Sequence, residues 1–532
     1  MSSRRPTALS RRGFLGLAGT GVVAASLPSL AAPAWSAPRF GSDPFALGVA
    51  SGDPAPDGVV LWTRIAPDPL AEDGLAGVPQ PHQRIPVQWE LADDASFAPR
   101  SLVRRGVAHA APELGHSVHV EVDGLAPDRV YWYRFRAGNA ESPVGRTRTA
   151  PALGAGVSAM TFAFVSCQSY VAGHYTALRH LAEDDLDLVF HLGDYIYENA
   201  NQGTIGRGHL PAAETFSLAD YRIRYGQYKS DPDLQAAHAS AAFVVVPDDH
   251  EVENNWAGSI SQVDGEPDQD PAVFLERRAA AFQAYYENLP LRRSSMPQGP
   301  DMQLFRRIRY GALVDFHVLD TRQYRSDQAD QDNNEVRWDP SRTLLGERQE
   351  QWLVDGMVSS TAAWNVVAQQ SRVAEIDNVV GPGESYGSDN WDGYAHSRTE
   401  LFDAVHEHGI GNLVIVSGDA HRNTASDLKP RFKDESSPVV GAEFLGTSIS
   451  SGGDGADITP SARRQLAENP HLRFYNQRRG YQRCAVTADE LRTDYLVVPH
   501  VTSPGAPLVT RAVGYVENGR PGIAAMEDKT VV

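Results

Sequence analysis

Four short runs of apolar residues, rich in β-branched and aromatic side chains, each end abruptly in polar residues. Runs of this length are typical of buried strands, and the polar residues mark the strand ends. In α/β sheets, the groups that bind ligands gather beyond the carboxyl ends of the strands. We therefore expect the loops to meet at one site. The runs are TFAFV before residues 166–168, LDLVF before residues 191–198, FVVVP before residues 248–251, and NLVIV before residues 417–421.

Two regions of the chain differ in their pattern. Residues 45–149 contain short alternating runs separated by Pro, Gly and Asp, which is the spacing of an all-β sandwich of the immunoglobulin or fibronectin type. Residues 150–159 read as a linker. Beyond them, strand patterns alternate with helical patterns, which indicates an α/β domain. We predict a β-sandwich domain over residues 43–150 and an α/β catalytic domain over residues 158–520.

The first 36 residues have the features of an export signal. The sequence SRRGFL at residues 10–15 precedes a mildly apolar stretch rich in Gly and Ala, and small residues follow as cleavage candidates. Paired arginines in this setting resemble the twin-arginine signal, which delivers folded proteins. A membrane anchor is the alternative, but the glycines and prolines make a poor spanning helix. We predict export by the twin-arginine machinery, to the periplasm or the medium, without a stable membrane anchor.

The composition of the chain limits its possible binding partners and the possible roles of its cysteines. The 532-residue chain has a formal net charge of −19, which argues against general electrostatic binding of nucleic acid. Its two cysteines cannot form a disulfide framework. Cys167 follows a predicted strand and suits a thiolate metal ligand, whereas Cys484 lies in a strand-like stretch and suits the core. A disulfide between the two is the alternative.

Seven motifs follow one another from residue 45 to residue 423: FALGVASGDPAPDGVVLWTR, FVSCQSY, DLDLVFHLGDYIYE, DDHEVENNWAG, LDTRQYR, NWDGY and SGDAHRN. Through them, nearly the whole mature chain resembles the PhoD-type alkaline phosphatases and phosphodiesterases of the metallophosphoesterase superfamily. The resemblance implies an α/β metallophosphoesterase domain and a cluster of Fe(III) and Ca²⁺. The implied iron ligands are Cys167, Asp194, Tyr197 and His421; Asp194 bridges to calcium, and Asp249 and Asp419 complete the cluster.

The chain departs from the wider superfamily in its ligand types. Cys167 stands where Asp is more common, Asp249 where Asn is more common, and GDAH replaces G-H-x-H. Fewer imidazoles and more carboxylates shift the preference from zinc towards hard cations. Zinc and manganese are the less favoured alternatives.

These features predict an exported, metal-dependent phosphoric-ester hydrolase in which a metal-activated hydroxide attacks phosphorus. Two adjacent cations lower the pKa of a water and neutralise the phosphoryl oxygens. A phospholipase D-like or teichoic-acid phosphodiesterase is one alternative. A wall-binding protein with a degenerate site is the other, with the aromatic residues of the sandwich as its platform, although their period-two placement favours core packing.

Besides Asp194, three further side chains, His250, Asn254 and Arg322, are candidates for contact with a mono- or diester substrate. Asp194 and His250 are the predicted catalytic residues, and His250 either contacts the phosphoryl group or protonates the leaving group. The alternative is a buried histidine satisfied by Glu251 or a backbone carbonyl. Asn254 is a substrate contact or a turn residue. Arg322 is a bidentate phosphate clamp or a structural ion pair. The segment at residues 390–394, NWDGY, is a candidate pocket wall.

Overall fold

The described residues, 39–263, 265–329 and 334–529, form 22 strands and seven α-helices in the computed structural model. The predicted signal over residues 1–36 lies outside them. None of the helices among these residues is long and apolar enough to cross a membrane. The helices are α1 (Thr176–Glu183), α2 (Leu218–Lys229), α3 (Pro232–Ser240), α4 (Pro271–Asn288), α5 (Glu347–Val358), α6 (Ala395–Glu407) and α7 (Pro460–Glu468).

The strands fall into an N-terminal group and a larger group that follows it. The N-terminal strands are β1 (Val49–Ala55), β2 (Gly58–Arg64), β3 (Ile85–Ala92), β4 (Leu102–Ala110), β5 (Ser117–Val122), β6 (Val130–Ala137), β7 (Ala140–Glu141) and β8 (Gly145–Arg148). The others are β9 (Ala159–Val165), β10 (Leu188–His191), β11 (Ala242–Val245), β12 (Arg306–Tyr310), β13 (Val314–Val318), β14 (Trp364–Ala368), β15 (Leu413–Ser417), β16 (Asn423–Leu428), β17 (Gly441–Leu445), β18 (Leu472–Asn476), β19 (Arg479–Thr487), β20 (Glu490–Val498), β21 (Val509–Glu517) and β22 (Ala525–Asp528).

Two large sheets pack face to face and carry the helices on their outer faces. The ten-stranded sheet has the order β22-β21-β20-β19-β9-β10-β11-β1-β2-β5, and the seven-stranded sheet has the order β12-β13-β14-β15-β17-β16-β18. Their inner faces share one apolar core that contains Phe162, Phe190 and Phe316. Helices α1 to α4 cover the first sheet, and α5 and α6 cover the second. The alternating strand and helix patterns thus form four layers rather than one open sheet.

The N-terminal strands do not form a free-standing sandwich. β1 pairs in parallel with β11, with Ser51 opposite Ala242, so β1, β2 and β5 extend the ten-stranded sheet. The remaining strands form a separate sheet in the order β4-β3-β6-β7, with β8 on β6. Residues of both layers, such as Leu61 and Tyr133, share a core. The two layers agree with the expected β-sandwich, whose immunoglobulin or fibronectin type stays a prediction, but one of them continues into the ten-stranded sheet. Periodicity locates strands along the chain and carries no information about a partner 191 residues away.

The aromatic residues that a wall-binding platform would need lie mainly in the interior. Trp62, Tyr131 and Tyr133 are buried, while Trp89 and Trp132 are half-buried. Burial therefore favours core packing over an exposed binding surface.

Trp62 on β2 connects the N-terminal strands to the helices of the first sheet. Its Nε1 donates to the Glu287 carbonyl at 3.0 Å, and the Lys229 ammonium lies 4.1 Å from its ring centroid. Burial, followed by the charge of Arg64, lowers the pKa of Lys229 to about 7. Trp62 therefore contributes apolar area, a hydrogen bond and a cation–π contact at one junction.

We expect Trp62→Ala to lower the free energy of unfolding by about 3–5 kcal/mol, because it leaves a cavity between β2 and α4. Denaturant-induced unfolding measures this change. The control is Trp338→Ala, because Trp338 is 47% exposed and its loss should cost less than about 1 kcal/mol. Equal losses in the two variants would contradict the role of Trp62 as an anchor.

Candidate metal centre

The four predicted loops meet where β9, β10, β11 and β15 end. The backbone holds them in register: the Cys167 N–H donates to the Gly193 carbonyl at 3.1 Å, and the Gln168 N–H donates to the Asp194 carbonyl at 3.0 Å. β9, β10 and β11 are parallel neighbours in the first sheet, whereas β15 belongs to the second. The site therefore lies at the carboxyl ends of strands from both sheets, as expected for an α/β protein.

Unusual backbone angles turn the candidate ligands away from the strand direction. Non-glycine residues rarely have positive φ, and such residues cluster at functional sites. Gly193 has a φ of 102°, and a Cβ there would lie 2.3 Å from the Asp248 Cβ, so the close approach of these two loops requires glycine. The candidate ligands with positive φ are Cys167 at 58°, Asp194 at 54°, Asp419 at 63° and His421 at 51°.

The four side chains expected to bind iron come together. Cys167, Asp194 and His421 each offer a ligand atom within 4.8 Å of the other two. The Tyr197 hydroxyl donates to Asp194 Oδ2 at 2.8 Å and lies 3.3 Å from His421 Nε2. The group thus combines a thiol, a carboxylate, an imidazole and a phenol. Once deprotonated, its sulfur and phenol oxygen are anionic donors that suit a highly charged ion.

A second group of ligand atoms shares Asp194 with the first. Asp194, Asp249 and His250 each offer an atom within 4.8 Å of the other two. The Asp194 Oδ1 is buried and, within the described part of the chain, has no hydrogen-bond partner. Asp194 belongs to both groups, which is the position that a bridging ligand takes. The residues present therefore fit two neighbouring cations.

The local charges are out of balance without such cations. Burial, reinforced by the charges of Asp249 and Asp248, raises the pKa of Asp194 well above its usual value. Burial also raises the pKa of Asp248, to about 6. In the same way, burial and then the charge of Asp194 raise the pKa of the Cys167 thiol. A bound cation reverses these shifts, because it favours the ionised carboxylate and thiolate.

Asp419 lies at the margin of this arrangement. It is half-buried, and its carboxylate makes no hydrogen bond to the described residues. Burial, followed by the charges of Asp248 and Asp389, raises its pKa well above the usual value. Asp419 belongs to neither group of three ligand atoms, so its expected place in the cluster stays a prediction.

His250 is held by Glu198, a residue to which we had assigned no role. The His250 Nδ1 lies 2.6 Å from Glu198 Oε2, while Glu198 Oε1 accepts the Asn254 N–H at 2.8 Å. The ring also packs against Tyr197, with centroids 4.1 Å apart. Burial opposes protonation of His250, but Glu198 and Asp249 raise its pKa well above 6.5. Glu198 closes the motif HLGDYIYE, so its position beside Tyr197 was an available signal.

Glu251 has a different role from the one considered for it. Its carboxylate accepts the backbone N–H groups of Asp194, Tyr195 and Asp248, at 3.2, 2.6 and 2.8 Å. The alternative in which Glu251 satisfies His250 is therefore wrong. Glu251 instead ties the loop after β10 to the loop after β11.

Ser451 is a second polar residue that the sequence did not single out. Its Oγ lies 2.7 Å from the Tyr197 hydroxyl and 2.8 Å from the Cys167 carbonyl. Ser451 lies in the Ser- and Gly-rich loop after β17, and this composition directly after a buried strand was the available signal. Both cysteines are free, so the alternative of a disulfide between Cys167 and Cys484 is wrong.

Arg322 is committed to carboxylates of the protein, which corrects its predicted role as a phosphate clamp. Its Nε donates to Asp248 Oδ1 at 2.6 Å, and its two Nη atoms donate to Asp389 at 2.7 and 2.9 Å. The guanidinium is fully buried. The structural ion pair is therefore the correct interpretation, and Arg322 positions the loop that carries Asp249. By contrast, the half-buried Asn254 has a side-chain amide without a hydrogen bond to the described residues.

The segment NWDGY packs inward rather than forming a pocket wall. Trp391 and Tyr394 belong to the core under the second sheet, and Trp391 Nε1 donates to Gln369 Oε1 at 3.2 Å. Asp392 is buried and paired with Arg372 and Arg398. The predicted pocket wall is therefore wrong for these three side chains.

Comparison with known proteins places this arrangement in a family. The model of the PhoD-like phosphatases matches residues 162–495, and the model of the PhoD-like phosphatase N-terminal domain matches residues 30–151. The chain belongs to the PhoD-like phosphatase family. It is 50% identical over 504 residues to alkaline phosphatase D of Bacillus subtilis (strain 168), covering 93% of this chain and 85% of that protein. A solved structure of PhoD is also 50% identical, with a TM-score of 0.88 over 93% of this chain and 94% of that one.

Within this PhoD-like phosphatase, we expect Arg322→Ala to destabilise the fold by about 3–5 kcal/mol, since Asp248 and Asp389 would keep buried charges without a partner. The variant should lower kcat/KM for a matched aryl phosphate monoester and diester by the same factor. Denaturant unfolding and steady-state kinetics test the two parts.

Arg309→Ala is the matched control, because Arg309 is 46% exposed and makes only a long ion pair, with its Nε 3.9 Å from Asp315 Oδ1. This substitution should lower the free energy of unfolding by less than about 1 kcal/mol. If Arg322→Ala instead lowered kcat/KM for the monoester alone, the result would support the role as a phosphate clamp, since a monoester carries the extra phosphoryl charge.

Proposed function

We propose that this PhoD-like phosphatase is an exported, metal-dependent phosphoric-ester hydrolase with two cations bridged by Asp194. The observation that carries the proposal is that Asp194 belongs to both groups of ligand atoms and has a buried oxygen, Oδ1, without a hydrogen-bond partner among the described residues. The name of the Bacillus subtilis relative, alkaline phosphatase D, supports phosphate-ester hydrolysis as the reaction. The twin-arginine-like segment supports export of the folded, metal-loaded protein.

The donor types support Fe(III) in the first position and Ca²⁺ in the second. Cys167 and Tyr197 supply thiolate and phenolate, whose negative charge stabilises Fe(III) over Fe(II). Asp249 and Asp419 supply the carboxylate oxygens that Ca²⁺ prefers. Zinc and manganese fit this donor set less well. When bound, the two cations lower the pKa of a water and neutralise charge on the phosphoryl oxygens.

His250 is the proton donor to the leaving oxygen. Glu198 fixes the ring through Nδ1, so Nε2 is the nitrogen available to a substrate. The Glu198 carboxylate raises the pKa of the imidazole and so favours the protonated form that a general acid requires. Asn254 supports this arrangement through its N–H, which donates to Glu198. We propose that its side-chain amide, which makes no hydrogen bond to the described residues, donates to a phosphoryl oxygen.

The proposed substrates are phosphate esters, with diesters cleaved at least comparably to monoesters. A monoester carries an additional negative charge that needs a further cationic partner. Arg322, the only arginine that a motif suggested for this purpose, is neutralised by two aspartates. The pairing of Arg322 therefore gives no reason to expect a preference for monoesters, whose phosphoryl group is dianionic, over diesters.

The metal cluster is tested with Asp194→Asn, which keeps the size of the side chain and removes its charge. We expect turnover to fall by roughly 10³-fold or more, together with the content of both metals, since the cations provide the water activation and charge neutralisation. Elemental analysis and an ester-hydrolysis assay measure the two quantities.

Asp185→Asn is the control, because the Asp185 side chain is 93% exposed; it should retain both metals and activity. In the wild type, removal of metals by a chelator should abolish hydrolysis, and adding iron and calcium should restore it. Near-native turnover of metal-depleted Asp194→Asn would refute the proposal.

The role of His250 is tested by the dependence of the rate on the leaving group. We expect His250→Ala to reduce hydrolysis of an alkyl ester by roughly 10²–10⁴-fold, because the poor alkoxide leaving group needs a proton. A nitrophenyl ester should lose much less. Metal content should stay unchanged, which elemental analysis checks; an equal loss on both esters together with lost metal would make His250 a ligand instead.

A further inference from the structure

Arg479, the first residue of β19, lies buried beside the loop that carries His421. Its Nη1 donates to the His421 carbonyl at 2.7 Å and to Ser448 Oγ at 3.1 Å. Its Nε donates to the Gly453 carbonyl at 2.8 Å. The guanidinium therefore joins the loop after β15, which carries a candidate iron ligand, to the loop after β17.

The loop after β17 is shaped to admit this guanidinium. Gly452 and Gly455 have φ of 83° and 65°, in the left-handed region that favours glycine. A Cβ at Gly452 would lie 2.9 Å from Arg479 Nη2, and a Cβ at Gly455 would lie 3.1 Å from the same atom. A larger residue at either position would therefore displace the guanidinium, so the two glycines preserve its place.

Arg479 carries a buried positive charge that no carboxylate of the described residues pairs with. The residue is 5% exposed, and its hydrogen bonds go to carbonyl and hydroxyl oxygens, which have only partial negative charge. Burial lowers the pKa of Arg479, and the negative charges of Cys167 and Tyr197 oppose this effect more than that of Asp454 does. A buried cation is costly without a counterion. The anionic forms of the thiol and the phenol are therefore the counterions nearest in effect.

Ser451 connects the same loop to both anionic ligands of the candidate iron position. Its Oγ lies 2.7 Å from the Tyr197 hydroxyl, and its N–H donates to the Cys167 carbonyl at 3.2 Å. The loop that encloses Arg479 therefore also contacts the residues that supply the phenol and the thiol. Because Arg479 holds the His421 carbonyl as well, three of the four expected iron ligands lie on segments that meet around this guanidinium.

We infer that Arg479 is a positioning residue of the iron position: it holds the His421 loop and places a positive charge near the two anionic ligands. These ligands are Cys167, as thiolate, and Tyr197, as phenolate. The inference rests on the proposed Fe(III) position. Thiolate and phenolate neutralise much of the charge of Fe(III), and a guanidinium offsets part of their negative charge. The ion therefore keeps more of the positive charge with which it stabilises a phosphoryl group.

The reduction potential of the bound iron tests the charge of Arg479. In the full-length, iron-loaded enzyme, Arg479→Gln should make Fe(III) harder to reduce, because it removes a positive charge that favours the lower oxidation state. At a fixed solution potential near the wild-type midpoint, the ratio of Fe(II) to Fe(III) should fall roughly tenfold, by the order of magnitude for a unit charge inside a protein. The visible absorption of Fe(III) bound to phenolate and thiolate disappears on reduction and so measures this ratio.

Two further variants separate the charge from the packing. Arg479→Lys keeps the positive charge but loses the planar fork that reaches several oxygens at once. Its ratio of Fe(II) to Fe(III) should stay within roughly threefold of the wild-type ratio, since the charge is retained. Arg473→Gln is the matched control, because Arg473 is 42% exposed and already paired with Asp427; it should leave the ratio unchanged.

The outcomes distinguish this inference from the proposed metal pair. A wild-type ratio in iron-loaded Arg479→Gln would overturn the inference and leave the iron position intact. If Arg479→Gln loses its iron, elemental analysis of Arg479→Lys decides: retained iron supports the need for the charge, whereas an equal loss in both variants makes Arg479 a structural residue and overturns the inference. A wild-type enzyme that is active without iron would refute the Fe(III) position itself, and the inference with it.

Discussion

The crowding of carboxylates at the ends of buried strands is the constraint on which the rest of the structure depends. Asp194, Asp248 and Asp249 lie together in a medium that disfavours their charges, and the raised pKa of Asp194 expresses this conflict. Charged oxygens can be retained there only if cations accompany them. The positive-φ turns, the glycine at residue 193 and the backbone contacts of Glu251 all hold the carboxylates close despite their repulsion.

The protein balances this charge in two physically different ways. Arg322 is bound on three sides by Asp248 and Asp389, so its charge is fixed in place and stabilises the geometry of the loops. Asp194, in contrast, keeps one oxygen free of any partner among the described residues. A permanently paired arginine supplies rigidity, whereas an unpaired oxygen leaves room for chemistry. Glu198 and Asn254 differ in the same way: the Glu198 carboxylate contacts both His250 and the Asn254 N–H, whereas the Asn254 side-chain amide makes no hydrogen bond to the described residues.

Sequence patterns predicted the structure correctly where the interactions that determine it are local. Strand ends such as that of β10 could be located because a β-branched run stops at polar residues, and the convergence of Cys167, Asp194 and His421 follows from those strand ends. The role of Arg322 could not be inferred, because its partner Asp389 is 67 residues away and no local pattern reports such a pairing. The pairing of β1 with β11 was missed for the same reason.

The shared ten-stranded sheet also decides how the chain can be divided. The two family models separate between residues 151 and 162, yet β1 is hydrogen-bonded to β11 across that boundary. A fragment cut there would carry an unpaired strand edge on each side, and open edges of this kind recruit other chains. During synthesis, β1 must likewise wait for β11 before its edge is covered. The boundary between the two family models therefore does not coincide with a break in the hydrogen-bonded sheet.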